Sequence, residues 1–203
     1  MIPVNLIIPD AGPLISLAHA GRLDLVEVFN RPLAVIDVVK IECLKKPDSP
    51  DHPAMKTWFE NNSNAIRIID TPMRSIYEQA LQDEISGKNP RATRGLGDAA
   101  YGWLLPNIDL VAERGAVPLV LTEDKNLSIT LADHQVAHIL STRAWLAGLE
   151  NAGVIESAAE IIAEIGRHGR NLSSLQVDRP AELDEDQTDW LASAFRDRSG
   201  FGR

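Results

Sequence analysis

The chain holds one cysteine, Cys43, in 203 residues. An internal disulfide and a zinc site built on paired cysteines are therefore both excluded, and a lone thiol suits a reducing compartment and a place in the core. Long apolar runs are missing too: none approaches the ~18 residues that a membrane-spanning helix needs. The opening stretch from Met1 to Pro13 carries neither a basic flank nor a small-residue cleavage site. A cytoplasmic protein without membrane contact is the expectation. Basic residues are in short supply, 20 against 29 acidic, for a formal net charge of −9. That balance opposes general nucleic-acid binding, because phosphate contact needs lysine and arginine. Residues 1–150 hold 14 basic and 19 acidic groups and residues 151–203 hold 6 and 10, so no charged tail dominates and any nucleic-acid site has to be local. Internal repeats and low-complexity segments are also absent.

What is there is globular in composition, with 44% hydrophobic and 24% charged residues. That is enough for one domain with a sizeable core and some extra chain. Val4 to Ile8 is a nearly all-apolar run between Pro3 and Pro9, the pattern of a strand buried on both faces. Helical spacing follows from Leu14 to Phe29, broken into two helices by Gly21. Leu33 to Ile36 reads as a second strand, with a helix after it through Lys45. A proline-rich loop at 47–53 precedes a short helix around Met55, Trp58 and Phe59, then a third short strand at 66–69 and an amphipathic helix over 73–86. A helical stretch from Gly97 to Arg114 contains Pro106, which ends or kinks it. Strands at 117–122 and 137–140 alternate with helices near 125–132, 142–151 and 155–167. Such alternation predicts an α/β fold with right-handed crossovers and a parallel sheet between helices.

In an open parallel sheet the reactive site lies beyond the carboxyl ends of the strands. Asp10 follows the first strand and Asp124 the fourth. Glu42 lies in the first turns after the second strand, and Asp98 opens a helix within Gly95-Leu96-Gly97-Asp98-Ala99-Ala100. Two carboxylates ~4 Å apart repel by roughly 4 kcal/mol at an effective dielectric of 20, so a pocket holding all four calls for a hard divalent ion such as Mg²⁺. Taken singly, each acid has a structural reading as well. Asp10 and Asp124 suit helix N-caps, Asp98 a first-turn acid favoured by the helix dipole, and Glu42 a solvated helix position.

The strand followed by Asp10-Ala11-Gly12-Pro13-Leu14-Ile15-Ser16-Leu17, Glu42 after the second strand, the segment around Asp98, and Thr122-Glu123-Asp124 together resemble the PIN-domain nucleases. Many of these are VapC-type toxins of prokaryotic toxin-antitoxin pairs. The likeness spans roughly residues 4–165, and the stretch from Ile139 to Thr142 with the helix after it resembles the closing segment of a PIN subgroup. The resemblance implies a three-layer α/β/α fold, a Mg²⁺ or Mn²⁺ site and hydrolysis of RNA. It implies Asp10, Glu42, Asp98 and Asp124 as the metal-site acids, with Asp10 and Asp98 the principal ligands. Thr122 would orient the Asp124 loop. Where many relatives have a further acid this chain has Asn126, which suits a hydrogen bond to a metal-bound water.

Lys88, Arg91 and Arg94 precede Asp98 on a basic loop and are candidates for the RNA backbone; Lys40, Lys45 and Lys46 share the Glu42 helix. Solvated surface is the other reading for each. Gly95-x-Gly97-x-x-Ala100 matches a dinucleotide fingerprint formally, but no strand precedes it. A dehalogenase-type phosphotransferase would need a second acid where Gly12 stands. His134 and His138 read better beside and on a strand than as a zinc pair, and Trp58, Trp103 and Trp145 occupy core-like helical positions. After Arg170 the alternation stops. The domain reading is therefore 1–170 plus a 171–203 extension carrying a short amphipathic helix around Trp190, Leu191, Ala194 and Phe195, which must dock on its own domain or on a partner. The function expected is a metal-dependent ribonuclease with RNA as substrate, a cognate antitoxin and a homodimer as partners. The alternative is a non-catalytic PIN-like module that offers the acidic pocket to a protein partner.

Overall fold

The computed structural model describes residues 4–112, 117–127, 137–172 and Phe195. Five strands form one all-parallel sheet: β1 (Val4–Pro9), β2 (Leu33–Ile36), β3 (Ile66–Ile69), β4 (Val117–Leu121) and β5 (His138–Leu140), in the order β3-β2-β1-β4-β5. Every described side chain of β1, β2, β4 and β5 is buried. Strands so uniformly apolar need cover on both faces, and the helices supply it in a three-layer α/β/α arrangement. Edge strand β3 shows the alternation of a strand with one wet side, Ile66 and Ile69 being buried and Arg67 exposed.

The helices are α1 (Ala11–His19), α2 (Asp37–Leu44), α3 (His52–Asn61), α4 (Met73–Ile85), α5 (Leu96–Leu104), α6 (Thr142–Asn151) and α7 (Ala158–Arg167). One segment differs from the sequence expectation. After Gly21 the chain forms two short 3₁₀ turns, Leu23–Val26 and Val28–Asn30, in place of a second α-helix. Phe29 takes a left-handed φ of 67° there, which no continuing α-helix tolerates. The helical stretch over 97–114, expected to end or kink at Pro106, does so: α5 stops at Leu104 and a 3₁₀ segment, Leu105–Leu110, follows. Pro106 explains the change, since it has no N–H for the Gly102 carbonyl and its ring crowds that carbonyl. The last helix starts at Ala158, three residues later than the apolar pattern suggests, because Ser157 caps it by accepting from the Glu160 N–H.

The strand order locates the site. From β1 the chain moves outward to β2 and β3, then returns to pair β4 on the other side of β1. Loops leaving the carboxyl ends of β1 and β4 therefore diverge, and a crevice opens between them. Elsewhere the sheet ends are tied shut: Asp37, at the start of α2, accepts from the Val38 and Thr71 N–H groups and from the Thr71 hydroxyl. That carboxylate joins the ends of β2 and β3. Trp58 and Trp145 are core residues as expected, the latter donating its indole N–H to the Leu25 carbonyl, and Trp103 is partly buried against the core. His138 is fully buried in β5. His134, the C-terminal part of the expected 125–132 helix and the amphipathic helix around Trp190 lie outside the described residues.

Candidate active site

A cavity of ≈ 350 Å³ opens at the carboxyl ends of β1 and β4. Asp10, Glu42, Glu123 and Asp124 line it together with Thr142, Arg143 and Arg170. Asp10 is placed by β1, whose pairing continues one residue beyond the strand through the Asp10 N–H to the Leu121 carbonyl. Although Asp10 occupies the N-cap position of α1, its side chain makes no capping bond there. The carboxylate turns instead toward the cavity, where the Thr122 hydroxyl donates to Oδ2 at 3.2 Å. The same Thr122 oxygen accepts the Asp124 N–H at 3.1 Å. One hydroxyl thus sets the relative position of two acids, and Thr122, which is fully buried, belongs to the frame of the cavity.

Asp124 meets its N-cap reading. Its Oδ1 accepts the backbone N–H of Asn126 at 2.6 Å and of Leu127 at 3.3 Å, capping the helical turn at 125–127, while the residue still lines the cavity. Asn126 is exposed one step further along. Glu42, on α2, accepts from the Tyr77 hydroxyl at 3.2 Å, and the Lys45 ammonium donates to that hydroxyl at 3.2 Å. Tyr77 is fully buried on α4, so this relay holds Glu42 from below. Asp98 is the third residue of α5 and half-buried; it flanks the cavity rather than lining it. Gly95 makes the turn into that helix with φ 78°, a left-handed conformation that only glycine adopts freely.

The electrostatics join all four acids. Burial is the main cause raising the Asp10 carboxyl to about 7, and the negative charges of Glu42 and Asp124 push it further against the Ala11 N–H and the Thr122 hydroxyl. Glu42 is raised by burial, with Lys45 and Tyr77 opposing and Asp98 adding to the rise. Asp98 is raised by burial and by the charge of Asp124. These are carboxylates short of positive charge. Among the described residues, no three acidic, imidazole or thiol groups stand close enough together to cage a metal ion. The donor set fits Mg²⁺ all the same, since that ion keeps several waters and takes only one or two carboxylates.

Three cavity residues escaped the sequence reading as functional groups. Glu123 accepts from the Thr142 hydroxyl at 2.7 Å and pairs with Arg170 at 2.8 Å. Arg170 also donates to the Ser16 hydroxyl and the Gly12 carbonyl, so the residue that ends the alternating pattern reaches back to the first helix. Gly12 lies close against this pair: a Cβ there would stand 3.2 Å from Glu123 Oε2, a tight contact. Arg143 completes the wall. Adjacency to Asp124 was a usable signal for Glu123; nothing local marks Arg170 or Arg143. Conversely, Lys88, Arg91 and Arg94 are exposed on the loop before α5 and do not line the cavity. Lys88 stands 3.8 Å from Asp83, and the loop is fastened to α4 by Thr93, whose N–H and hydroxyl both donate to Glu84.

Comparisons of the chain with family models, curated proteins and solved structures find no match. Neither is any helix among the described residues long and apolar enough to cross a membrane.

Proposed function

We propose that the protein is a divalent-metal-dependent ribonuclease of the PIN type, acting as the toxin of a toxin-antitoxin pair. The observation that carries this reading is the convergence of Asp10 and Asp124 on one cavity at the switch point of the sheet, coupled through Thr122, with the Asp10 carboxyl raised by burial and by the charges of Glu42 and Asp124. Asp10, Glu42 and Asp124 would hold Mg²⁺ or Mn²⁺ from the cavity floor, with Asp98 beside them. When bound, such an ion supplies Lewis acidity, easing loss of a proton from water and offsetting charge on a phosphodiester under attack.

The chain's own groups do the rest. Asp10, poised near neutrality without a cation, holds or releases a proton at Oδ1 or Oδ2 as the charge in the cavity changes. Thr122 keeps Asp10 and Asp124 in register, and the Tyr77 hydroxyl fixes Glu42. Lys88, Arg91 and Arg94 offer an exposed basic loop to the RNA backbone outside the cavity. A second reading, a non-catalytic module whose acidic pocket receives a partner's arginine, draws support from Arg170, a guanidinium already seated against Glu123. Incubating the protein with RNA and Mn²⁺ separates the two. Cleavage that a chelator stops and that Asp10→Asn abolishes supports the nuclease; an intact substrate under all conditions leaves the binding module.

A further inference from the structure

The cavity lining also holds two guanidinium groups, Arg143 and Arg170, with different partners. Arg143 is the second residue of α6 and exposed, and its Nη2 donates to the Leu172 carbonyl at 2.9 Å. That backbone oxygen is its one polar partner among the described residues. Arg170 differs, for its charge is matched by Glu123 at 2.8 Å and its remaining bonds tie it to Ser16 and Gly12. The cavity therefore contains one guanidinium committed to structure and one, Arg143, with donors to spare.

Resting on the ribonuclease reading, we propose that Arg143 is a phosphate-binding residue, receiving a non-bridging oxygen pair of the RNA backbone at the cavity mouth. The Leu172 carbonyl braces the guanidinium from one side and leaves the rest of its planar fork of donors for an anion, a geometry that matches phosphate bidentately. The Arg170–Glu123 pair walls the same side without competing for that anion. This places the inner phosphate contact on α6, in the same cavity lining as Asp10, and leaves the loop of Lys88, Arg91 and Arg94 to contact the strand outside.

The test uses the full-length protein and a fluorescein-labelled single-stranded RNA, with binding followed by anisotropy across a salt series in chelator, so that the RNA stays intact. Arg143→Ala should raise Kd about tenfold and lower the slope of log K against log salt by about 0.7, the share of one phosphate contact on a single strand. Arg143→Lys should keep the slope and lose part of the affinity. Because Arg143 is exposed, both variants should unfold at the temperature of the wild type, so the effect is not one of folding. A Kd and a slope unchanged in Arg143→Ala would overturn the assignment. Mn²⁺-dependent cleavage in the same preparations separates the two proposals. Active wild type with an unchanged KM in Arg143→Ala would sink the phosphate site alone; absent cleavage with the binding loss intact would sink the nuclease alone. A wild type that binds no RNA ends both.

Discussion

The Thr122 hydroxyl donates to Asp10 Oδ2 at 3.2 Å while accepting the Asp124 N–H at 3.1 Å, joining positions 112 residues apart in the chain. Together with the Asp10 N–H, which donates to the Leu121 carbonyl at 2.8 Å, it fixes where the acids after β1 and β4 stand. The hydroxyl also stabilises the ionised form of Asp10, opposing the burial that raises it.

Thr122→Val keeps the shape and removes that oxygen. It should cost about 1–3 kcal/mol, since the Asp124 N–H loses its acceptor in a partly buried place. The Asp10 carboxyl should move above its present value of about 7, carrying the acid limb of any pH–rate profile upward with it. Urea unfolding and the pH dependence of cleavage measure the two effects independently, and an unmoved acid limb would detach Thr122 from Asp10.

Asp10→Asn should stabilise the protein at neutral pH in the absence of divalent ions. The carboxyl stands at about 7 when folded against an ordinary value of 3.8, so folding binds a proton between those limits. Its contribution is most favourable below 3.8 and is lost as pH climbs through about 7. The gain in Asp10→Asn at pH 8 should be on the order of 2 kcal/mol, less than the full shift because the carboxyl keeps some solvent. Thermal melts at pH 5 and pH 8 should show the difference between variant and wild type growing with pH. Mg²⁺ or Mn²⁺ should raise the wild-type melting temperature at pH 8 more than that of the variant.

Two glycines near the acids should respond oppositely to alanine. At Gly12 the new methyl would stand 3.2 Å from Glu123 Oε2 and 3.3 Å from its Cβ, so the Glu123–Arg170 pair must give way. We expect a loss of about 1–3 kcal/mol. At Gly97, within α5, the nearest atom is Glu42 Oε2 at 3.5 Å, an ordinary contact. Gly97→Ala should therefore gain about 0.5–1 kcal/mol from helix propensity. Denaturant midpoints of both variants decide the matter.

The Phe195 ring packs directly over the bare Cα of Gly148, and lies 5.1 Å from the Trp145 ring, centroid to centroid. A methyl at 148 would occupy the space of that ring. Gly148→Ala should release Phe195 from α6 and change the near-UV circular dichroism of Trp145, and Phe195→Ala should reproduce the change. The double variant should add little to either, as expected for two residues sharing one contact. Full additivity would mean that the two positions act independently. Phe195 is partly buried against the core.

Much of the architecture was readable locally. Short apolar runs with prolines and glycines around them read as buried strands, and Val117–Leu121 is buried at every position. Pro106 announced a helix end because the missing N–H is a property of the residue. Phe29 was not readable, since its φ of 67° is imposed by the packing of the 3₁₀ turns and not by any preference of phenylalanine.

The site divides along the same line. Carboxylates at strand ends were visible in the chain because the alternation of strand and helix fixes which residues follow a strand, and Asp10 and Asp124 needed nothing more. Strand order was not written locally. Only folding set β4 beside β1, which made one cavity of two loops, left Asp98 at its flank and kept Lys88, Arg91 and Arg94 outside it. Arg170 and Arg143 entered the cavity through hydrogen bonds to residues far away in the chain, such as Ser16 Oγ 154 positions earlier. Contacts of that separation depend on how whole elements pack, and no short-range pattern encodes them.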